Sequence, residues 1–443
     1  MWVPFRNMLG NSSFRHLLRN TTLLRLFSGR VITDAGDTLY FIGTMWLVWE
    51  LTGSPFYTGL AAALVRIPDL LNIFIGPLVD RWQLRRILLS TQVINGVGVL
   101  VVPLAAVTGH LSVWLVLALI PMLHFINGFV YPAQNAALPQ IVQEDELTRA
   151  NSLFSTSIRT VDMVSNAVAG ALVAVIGAVA LFVVNSVTFA IAAVLFVGVS
   201  VPKTTRGNNA ENETEEDERD ASNEGYVAEF RDGINYIRGS ALPAMLFGIM
   251  VYNFAATAMT AILPSFADSL AGPTVYGLLV AATGVGSLVG AGGAFLVEDY
   301  PINWVAIVTN VSSGLLLLAA VAVPGVWATG VLLFTAIVPV GAFNVLFFSM
   351  VQSAVDDAFL GRVTSLMRTV LSGIAPAGAL LGGALAGVVG SVTALYGVGG
   401  LIAIIGLYFL LHPQLRSLPS ATEPDEAALG LRSATNDTPK TSE

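Results

Sequence analysis

The sequence predicts an all-α integral membrane protein: about twelve apolar helices in two repeated halves. Three observations carry this. Hydrophobic residues make up 55% of the chain and charged ones only 11%, against about 25% charged in an ordinary soluble domain. The apolar residues fall into runs of about twenty or more, the length that crosses a hydrocarbon core. The second half also echoes the first. Val142, Leu147, Arg149, Ser152, Leu153, Gly170, Ala171, Leu172, Val175 and Gly177 meet identical residues at one constant offset, in Val355, Leu360, Arg362, Ser365, Leu366, Gly383, Ala384, Leu385, Val388 and Gly390. Chance matches among Gly, Ala and Val are common in membrane sequences, so the matched Arg and Ser weigh more.

In chain order, residues 1–23 carry Arg6, Arg15 and Arg19 among apolar residues and read as a cytoplasmic lead-in lying at the membrane interface. The first half, 24–200, divides into spans at 24–50, 56–79, 87–108, 112–137, 151–176 and 178–200. A polar linker, 201–240, follows. The second half, 241–412, divides at 242–266, 274–297, 302–323, 327–350, 362–389 and 392–411. Residues 413–443 form a disordered acidic tail. The net charge of −8 sits mainly in that tail and in Glu211–Asp220, segments too polar to bury a core. Within the linker, Tyr226, Val227, Phe230, Ile234 and Ile237 recur at helical spacing, the pattern of an amphipathic helix on the inner leaflet. The first apolar run carries acids and lacks a small-residue cleavage pattern, so no secretory leader is expected. Cysteine is absent, which excludes disulfide and thiol chemistry.

Arginine and lysine set the orientation. The turns Leu51–Phe56, Gly109–Ser112, Ala267–Thr274, Pro324–Val326 and Gly390–Val392 contain none, whereas the opposite loops hold Arg81, Arg85, Arg86, Arg149, Lys203, Arg206, Arg219, Arg231, Arg238 and Arg362. Basic residues stay inside. Both termini and the linker are therefore expected in the cytoplasm of a cell-membrane protein.

One loop is distinctive. Gly76-Pro77-Leu78-Val79-Asp80-Arg81-Trp82-Gln83-Leu84-Arg85-Arg86 ends one apolar run and begins the next. Gly-x-Leu-x-Asp-Arg-x-x-x-Arg-Arg between two membrane helices resembles the loop 2–3 signature of the major facilitator superfamily of transporters, with Gln83 or Leu84 standing near the position where that turn usually has glycine. Glu50-Leu51-Thr52-Gly53-Ser54-Pro55, Arg149-Ala150-Asn151-Ser152-Leu153 and Glu229-Phe230-Arg231-Asp232-Gly233 are similar to the branch containing siderophore exporters and macrolide efflux pumps. The resemblance implies the superfamily's fold, two six-helix bundles with cargo and coupling sites between them near the midplane. It also implies alternating access and an outward direction of transport. It gives Gly76, Asp80, Arg81, Arg85 and Arg86 to a cytoplasmic gate loop, with Asp80 latching the inner ends, against the blander reading that these bases only hold the loop inside.

A charged side chain at mid-bilayer costs roughly 2.5–3.5 kcal/mol on insertion scales. Arg30, Asp34, Asp37, Arg66, Asp69, Arg159, Asp162 and Arg368 lie at that depth on these spans. Arg30 and Asp34 are four apart, Arg66 and Asp69 three, Arg159 and Asp162 three, so each pair shares a helix face. Asp37 is left over. A carboxyl without a counter-charge there is a candidate to take up and release a proton. Asp37 is the first proton-coupling candidate, then Asp34, with Asp69 and Asp162 behind; Arg30, Arg66, Arg159 and Arg368 are their charge partners. The opposing reading is an ion-pair brace that moves no proton. Asn72, Asn127, Asn166, Asn253 and Asn344 are candidates to line a substrate cavity, or to bond helix to helix. His124 reads as a hydrogen-bonded core residue. Gly286-x-x-x-Gly290 and Gly378-x-x-x-Gly382 read as close-packing motifs that let helices slide at the bundle interface. Trp46, Trp49, Trp114, Trp304 and Trp327 read as an interfacial belt.

No phosphate-binding loop, metal-ligand cluster or nucleophile–base pair is visible, so an enzyme, a cofactor and a bound metal are not expected. The basic loop is too short for nucleic acid. The expected function is proton-coupled efflux of a small amphipathic or hydrophobic compound by a monomer, its partners being that compound, protons and the lipid bilayer. The alternatives are a uniporter or importer of a small solute, and a non-transporting scaffold or sensor.

Overall fold

A computed structural model of the chain describes residues 19–68, 82–143, 146–199, 234–416 and 418–420. They are nearly all helical: α1 Thr21–Thr52, α2 Pro55–Arg66, α3 Leu84–Val107, α4 Val113–Asn127, α5 Val130–Ile141, α6 Leu147–Ile176, α7 Ala178–Val197, α8 Leu242–Leu270, α9 Pro273–Gly292, α10 Ile302–Ala322, α11 Val326–Ala354, α12 Asp357–Val389 and α13 Ser391–Leu411. Residues 1–18 of the predicted N-terminal lead-in, the gate residues Gly76, Asp80 and Arg81, the linker residues Tyr226–Phe230 and most of the tail lie outside the described residues; the rest of the lead-in, from Thr21, already belongs to α1.

Among the described residues ten helical stretches are long and apolar enough to cross a membrane, α4 and α5 counting as one. Two of the twelve expected spans are thus short of that standard. α1 is long but loaded with Arg25, Arg30, Asp34 and Asp37, and α2 is described only as far as Arg66 before residues 69–81. Local chemistry sets the ends. Asn20 caps α1 by accepting from the Leu23 amide, and Gly53 closes it in the left-handed region with φ 58°. Pro55 then opens α2 at its first position. Gly177 and Gly390, equivalent in the repeat, join α6 to α7 and α12 to α13 with nearly the same backbone, φ 79° and ψ 165° against φ 84° and ψ 154°. Only glycine takes that conformation without strain.

By contact the chain forms two compact units. The first is Met1–Thr204 with Thr260–Val285; the second is Thr205–Met259 with Gly286–Glu443. In the first unit α7 packs between α1 and α3, and α6 lies against α1. A glycine stripe makes the α1–α7 seam. Gly29 faces Phe196, Gly36 faces Thr188 and Asn185, and Gly43 faces Leu181 and the Ala178 carbonyl. In the second unit α10 packs against α11 and α13.

Three expectations are corrected here. Both Gly-x-x-x-Gly motifs pack inside the second unit. Gly286 and Gly290 meet backbone of α11 at Phe334 and Val338, and Gly378 and Gly382 meet α8 at Phe254 and Ala258. Trp46 is not a belt residue: it is 5% exposed and stacks on Tyr276 at 5.2 Å, since a large ring gains more from burial than from the interface. Trp114, Trp304 and Trp327 are exposed, as a belt requires. The described end of the linker helix does not lie on the leaflet through Ile237. Ile237 and Tyr236 are buried in the second unit's core, with Tyr236 stacked on Phe359 at 4.3 Å. Ile234 stays exposed.

Candidate functional site

The polar heart of the first unit is built on α1. Arg30 and Asp34 sit one turn apart and form two contacts of 2.9 Å, Nε to Oδ2 and Nη2 to Oδ1. This two-pronged geometry matches guanidinium to carboxylate. Asp34 is 8% exposed, so its charge is held by the one arginine. Removing that arginine leaves a buried charge unmatched, which costs about 3–5 kcal/mol in fully buried pairs. Arg30→Gln is therefore expected to lower thermal stability in detergent, and the double variant Arg30→Gln/Asp34→Asn to recover most of it. A double variant no more stable than Arg30→Gln would show the pair to be no brace.

Asp37 comes three residues later. Its Oδ2 accepts a 2.6 Å hydrogen bond from Asn127 Nδ2. Asn127 is the last residue of α4, where the helix stops before the Gly128–Phe129 turn and restarts as α5; this break brings the amide to α1. On the other side Asn185 of α7 faces the same carboxyl without closing a hydrogen bond through its own Nδ2. Its Oδ1 lies 3.0 Å from Thr188 Oγ1. Gly36 lets these two side chains come so near: a Cβ there would collide with Thr188 Oγ1 and Asn185 Oδ1. Gly36→Val is expected to destabilise the first unit by about 1–3 kcal/mol through overpacking. An unchanged unfolding midpoint would show that α7 can simply step aside.

Among the described residues no arginine pairs with Asp37, Arg30 being committed to Asp34. Asp162 of α6 lies within electrostatic reach of Asp34, Arg30 and Arg66. Arg66, at the end of α2, stands near His124 of α4. The expected partners of two further pairs, Asp69 and Arg159, are outside the described residues and side chains, as is the side chain of Arg368. His124 is half-buried beside Arg66.

The asparagines divide. Asn127 donates to Asp37. Asn166 and Asn253 bond back to their own helices, at the Asp162 and Ile249 carbonyls. Asn344 borders a cavity of about 20 Å³ with Tyr252, Thr309 and Asn310, room for one water and not for cargo. Asn72 lies outside the described residues. Arg85, assigned to the gate loop, bonds the Val197 carbonyl at 2.6 Å, beside Arg25 on the Gly198 carbonyl at 2.7 Å. Both serve the C-terminus of α7, where cations and orphan carbonyls attract; Arg86 is exposed. Sequence reading missed Asn185 and Gln92. The available signal was the seven-residue recurrence of Gly29, Gly36 and Gly43, which marks the α1 face that receives α7.

Among the described residues, helices long enough to cross a membrane and charged residues along the first helix fit a multi-pass transporter, and the comparisons with known proteins identify its class. Residues 12–430 match the profile of MFS_3, the transmembrane secretion effectors; the chain belongs to this family. It is 28% identical over 411 residues to YvqJ of Bacillus subtilis, described as an uncharacterized MFS-type transporter, covering 88% of this chain and 92% of the relative. It is 24% identical over 367 residues to macrolide efflux protein A of Streptococcus pyogenes, covering 80% and 87%. It is 22% identical over 424 residues to the multidrug efflux pump Tap of Mycolicibacterium fortuitum, covering 92% and 99%. Among solved structures, an inward-facing bacterial homologue of the lysosomal transporter Spinster superposes with a TM-score of 0.66 at 14% identity, covering 89% of this chain and 97% of the other. A bacterial homologue of the iron transporter ferroportin gives 0.62 at 15%, covering 89% and 98%. These two show the fold alone.

Proposed function

We propose that this transporter exports a small amphipathic or hydrophobic compound across the cell membrane in exchange for protons, with both termini in the cytoplasm and the monomer as the working form. The observation that carries the reading is Asp37: a carboxyl within a membrane helix, held by the neutral amide of Asn127 and not by an arginine. Such a group can change its charge without breaking an ion pair. Asp34 cannot do so without releasing Arg30. Asp162, near Arg30 and Arg66, is the second proton site to test. The outward direction draws support from macrolide efflux protein A and Tap, whose names state efflux. The inward placement of the linker and termini follows from the arginine-free turns on the opposite side.

Proteoliposomes with an imposed proton gradient, assayed over lipophilic cations, macrolides and siderophores, test the reading. Cargo movement that follows the gradient and stops with an uncoupler is expected for at least one class. Movement indifferent to the uncoupler would make the protein a uniporter. No movement of any tested cargo, with the embedded charges dispensable, would favour a scaffold.

A further inference from the structure

Behind Asp37, on the side of α1 that faces α3 and α7, four buried polar side chains come together: Thr33, Gln92, Asn95 and Asn185, each at most 1% exposed. Gln92, Asn95 and Gly96 share one face of α3. Gly96 lies against Ser186 and Phe189 of α7, with Ser186 Oγ donating to the Gly96 carbonyl at 2.9 Å, one residue from Asn185. On α1, Thr33 is one turn from Asp37, and its Oγ1 lies 3.1 Å from Gln92 Oε1.

The hydrogen bonding of this cluster does not close. Thr33 Oγ1 also lies 2.9 Å from the Gly29 carbonyl, and its single proton can serve only one of the two acceptors. Gln92 Nε2, both side-chain atoms of Asn95 and Asn185 Nδ2 have no hydrogen-bond partner among the described residues. Turning the Gln92 amide over lets Nε2 donate to Thr33 Oγ1 while Thr33 donates to the Gly29 carbonyl, but it leaves Gln92 Oε1 unpartnered, and Asn95 is unpartnered in either orientation. Buried polar groups in hydrocarbon are bonded to something, and water is the group that supplies both donors and acceptors in so small a space.

We infer that α1, α3 and α7 enclose a string of bound water running from Asp37 past Asn185, Asn95 and Gln92, and that it is the path by which Asp37 exchanges its proton with the cytoplasm. The inference rests on the proton-coupled reading of Asp37. It adds that the proton does not share the route of the cargo. Gln92 lies within the first turns of α3, which begins beside the cytoplasmic loop, so the string points inward; beyond Gln92 the buried side chains of Leu26, Leu88 and Phe196 close the inner ends of α1, α3 and α7, and the proton passes only when that apolar plug parts. The charged or titratable groups that act on Asp37 are Arg30, Asp34 and Tyr40 on its own helix, with Asp162 of α6 within reach of Arg30 and Asp34; the described residues of α3 and α7 along the string carry none. Asn95 and Gln92 are thus positioning residues for water, not proton acceptors.

Two experiments test it. In the wild-type protein, radiolytic hydroxyl footprinting labels side chains beside trapped water. Phe189, 2% exposed and in contact with Gly96, is expected to be labelled at a rate near that of exposed rings; an unlabelled Phe189 means a dry seam and overturns the proposal. In proteoliposomes Asn95→Leu and Gln92→Leu are expected to slow proton-driven efflux by about tenfold while leaving cargo–cargo exchange, which moves no net proton, at its wild-type rate. Asn95→Ser, which keeps a polar group, should restore most of the loss. Equal losses in driven efflux and exchange would mean a packing defect and defeat the inference. Loss of proton drive in Asp37→Asn alongside full drive in both leucine variants would sink the water path and leave the role of Asp37 intact; retained drive in Asp37→Asn would remove that role itself.

Discussion

Asp37→Asn is expected to abolish proton-driven efflux, lowering its rate by about a hundredfold or more, the scale lost when a positioned proton-transfer group is removed. The substitution is nearly isosteric. The Asn127 amide at 2.6 Å can still bond the new side-chain oxygen, so folding and cargo binding should survive. The variant mimics a permanently neutral carboxyl, and a cycle that needs the proton to leave stalls at one step. Cargo exchange between equal pools does not need that step and should continue. The measurement is uptake of labelled cargo into inverted vesicles, with a proton gradient and then with unlabelled cargo inside. Asp34→Asn predicts differently: it strands Arg30 and should show first as lost thermal stability. If Asp37→Asn pumped normally and Asp34→Asn or Asp162→Asn did not, the coupling carboxyl would be one of those.

Much of this was readable before any coordinates, because hydrocarbon leaves few options. Runs of apolar residues can only be helices there, and the predicted span limits fall close to those observed, as with 302–323 against Ile302–Ala322. The i,i+4 spacing of Arg30 and Asp34 specifies their contact, since both lie on one rigid helix. What one helix cannot reveal is which neighbour it meets. Asn127 was visible as a polar residue inside the predicted span 112–137, but its bond to Asp37 depends on where α4 stops and how it leans on α1. Asn185 was overlooked because a lone amide in an apolar run carries no spacing signal. Trp46 was misread for the same reason: its place near a span end fits a belt, and only packing reveals that Tyr276 covers it. The Gly-x-x-x-Gly motifs announce close approach correctly and say nothing of the partner, which proved to be α11 and α8 within the second unit.

Small residues that meet backbone to backbone carry the second large effect. In the first unit Gly170 of α6 and Gly277 of α9 touch so closely that a Cβ on Gly170 would collide with the Gly277 carbonyl oxygen and lie 2.7 Å from the Ala281 nitrogen. Backbone cannot yield as a side chain can, so Gly170→Val must push α9 away. The contacts that hold the stretch Thr260–Val285 to α1 and α2 include Thr58 Oγ1 to the Ala261 carbonyl at 2.6 Å, Tyr276 Oη to the Ile42 carbonyl at 3.4 Å, and the Trp46–Tyr276 stack. Overpacking of about 1–3 kcal/mol acting on that arrangement shifts its population by roughly 5- to 150-fold. On the alternating-access reading, this is a contact that forms and parts in each cycle, so transport should fall by about tenfold or more while the protein stays folded. The absence of cysteine makes the shift measurable. A single Thr58→Cys, at a site 0% exposed, should react slowly with a membrane-impermeant thiol reagent. Adding Gly170→Val should speed that labelling by the same factor as the population shift. Unaltered labelling together with unaltered transport would mean the two glycines are close only by accident of packing.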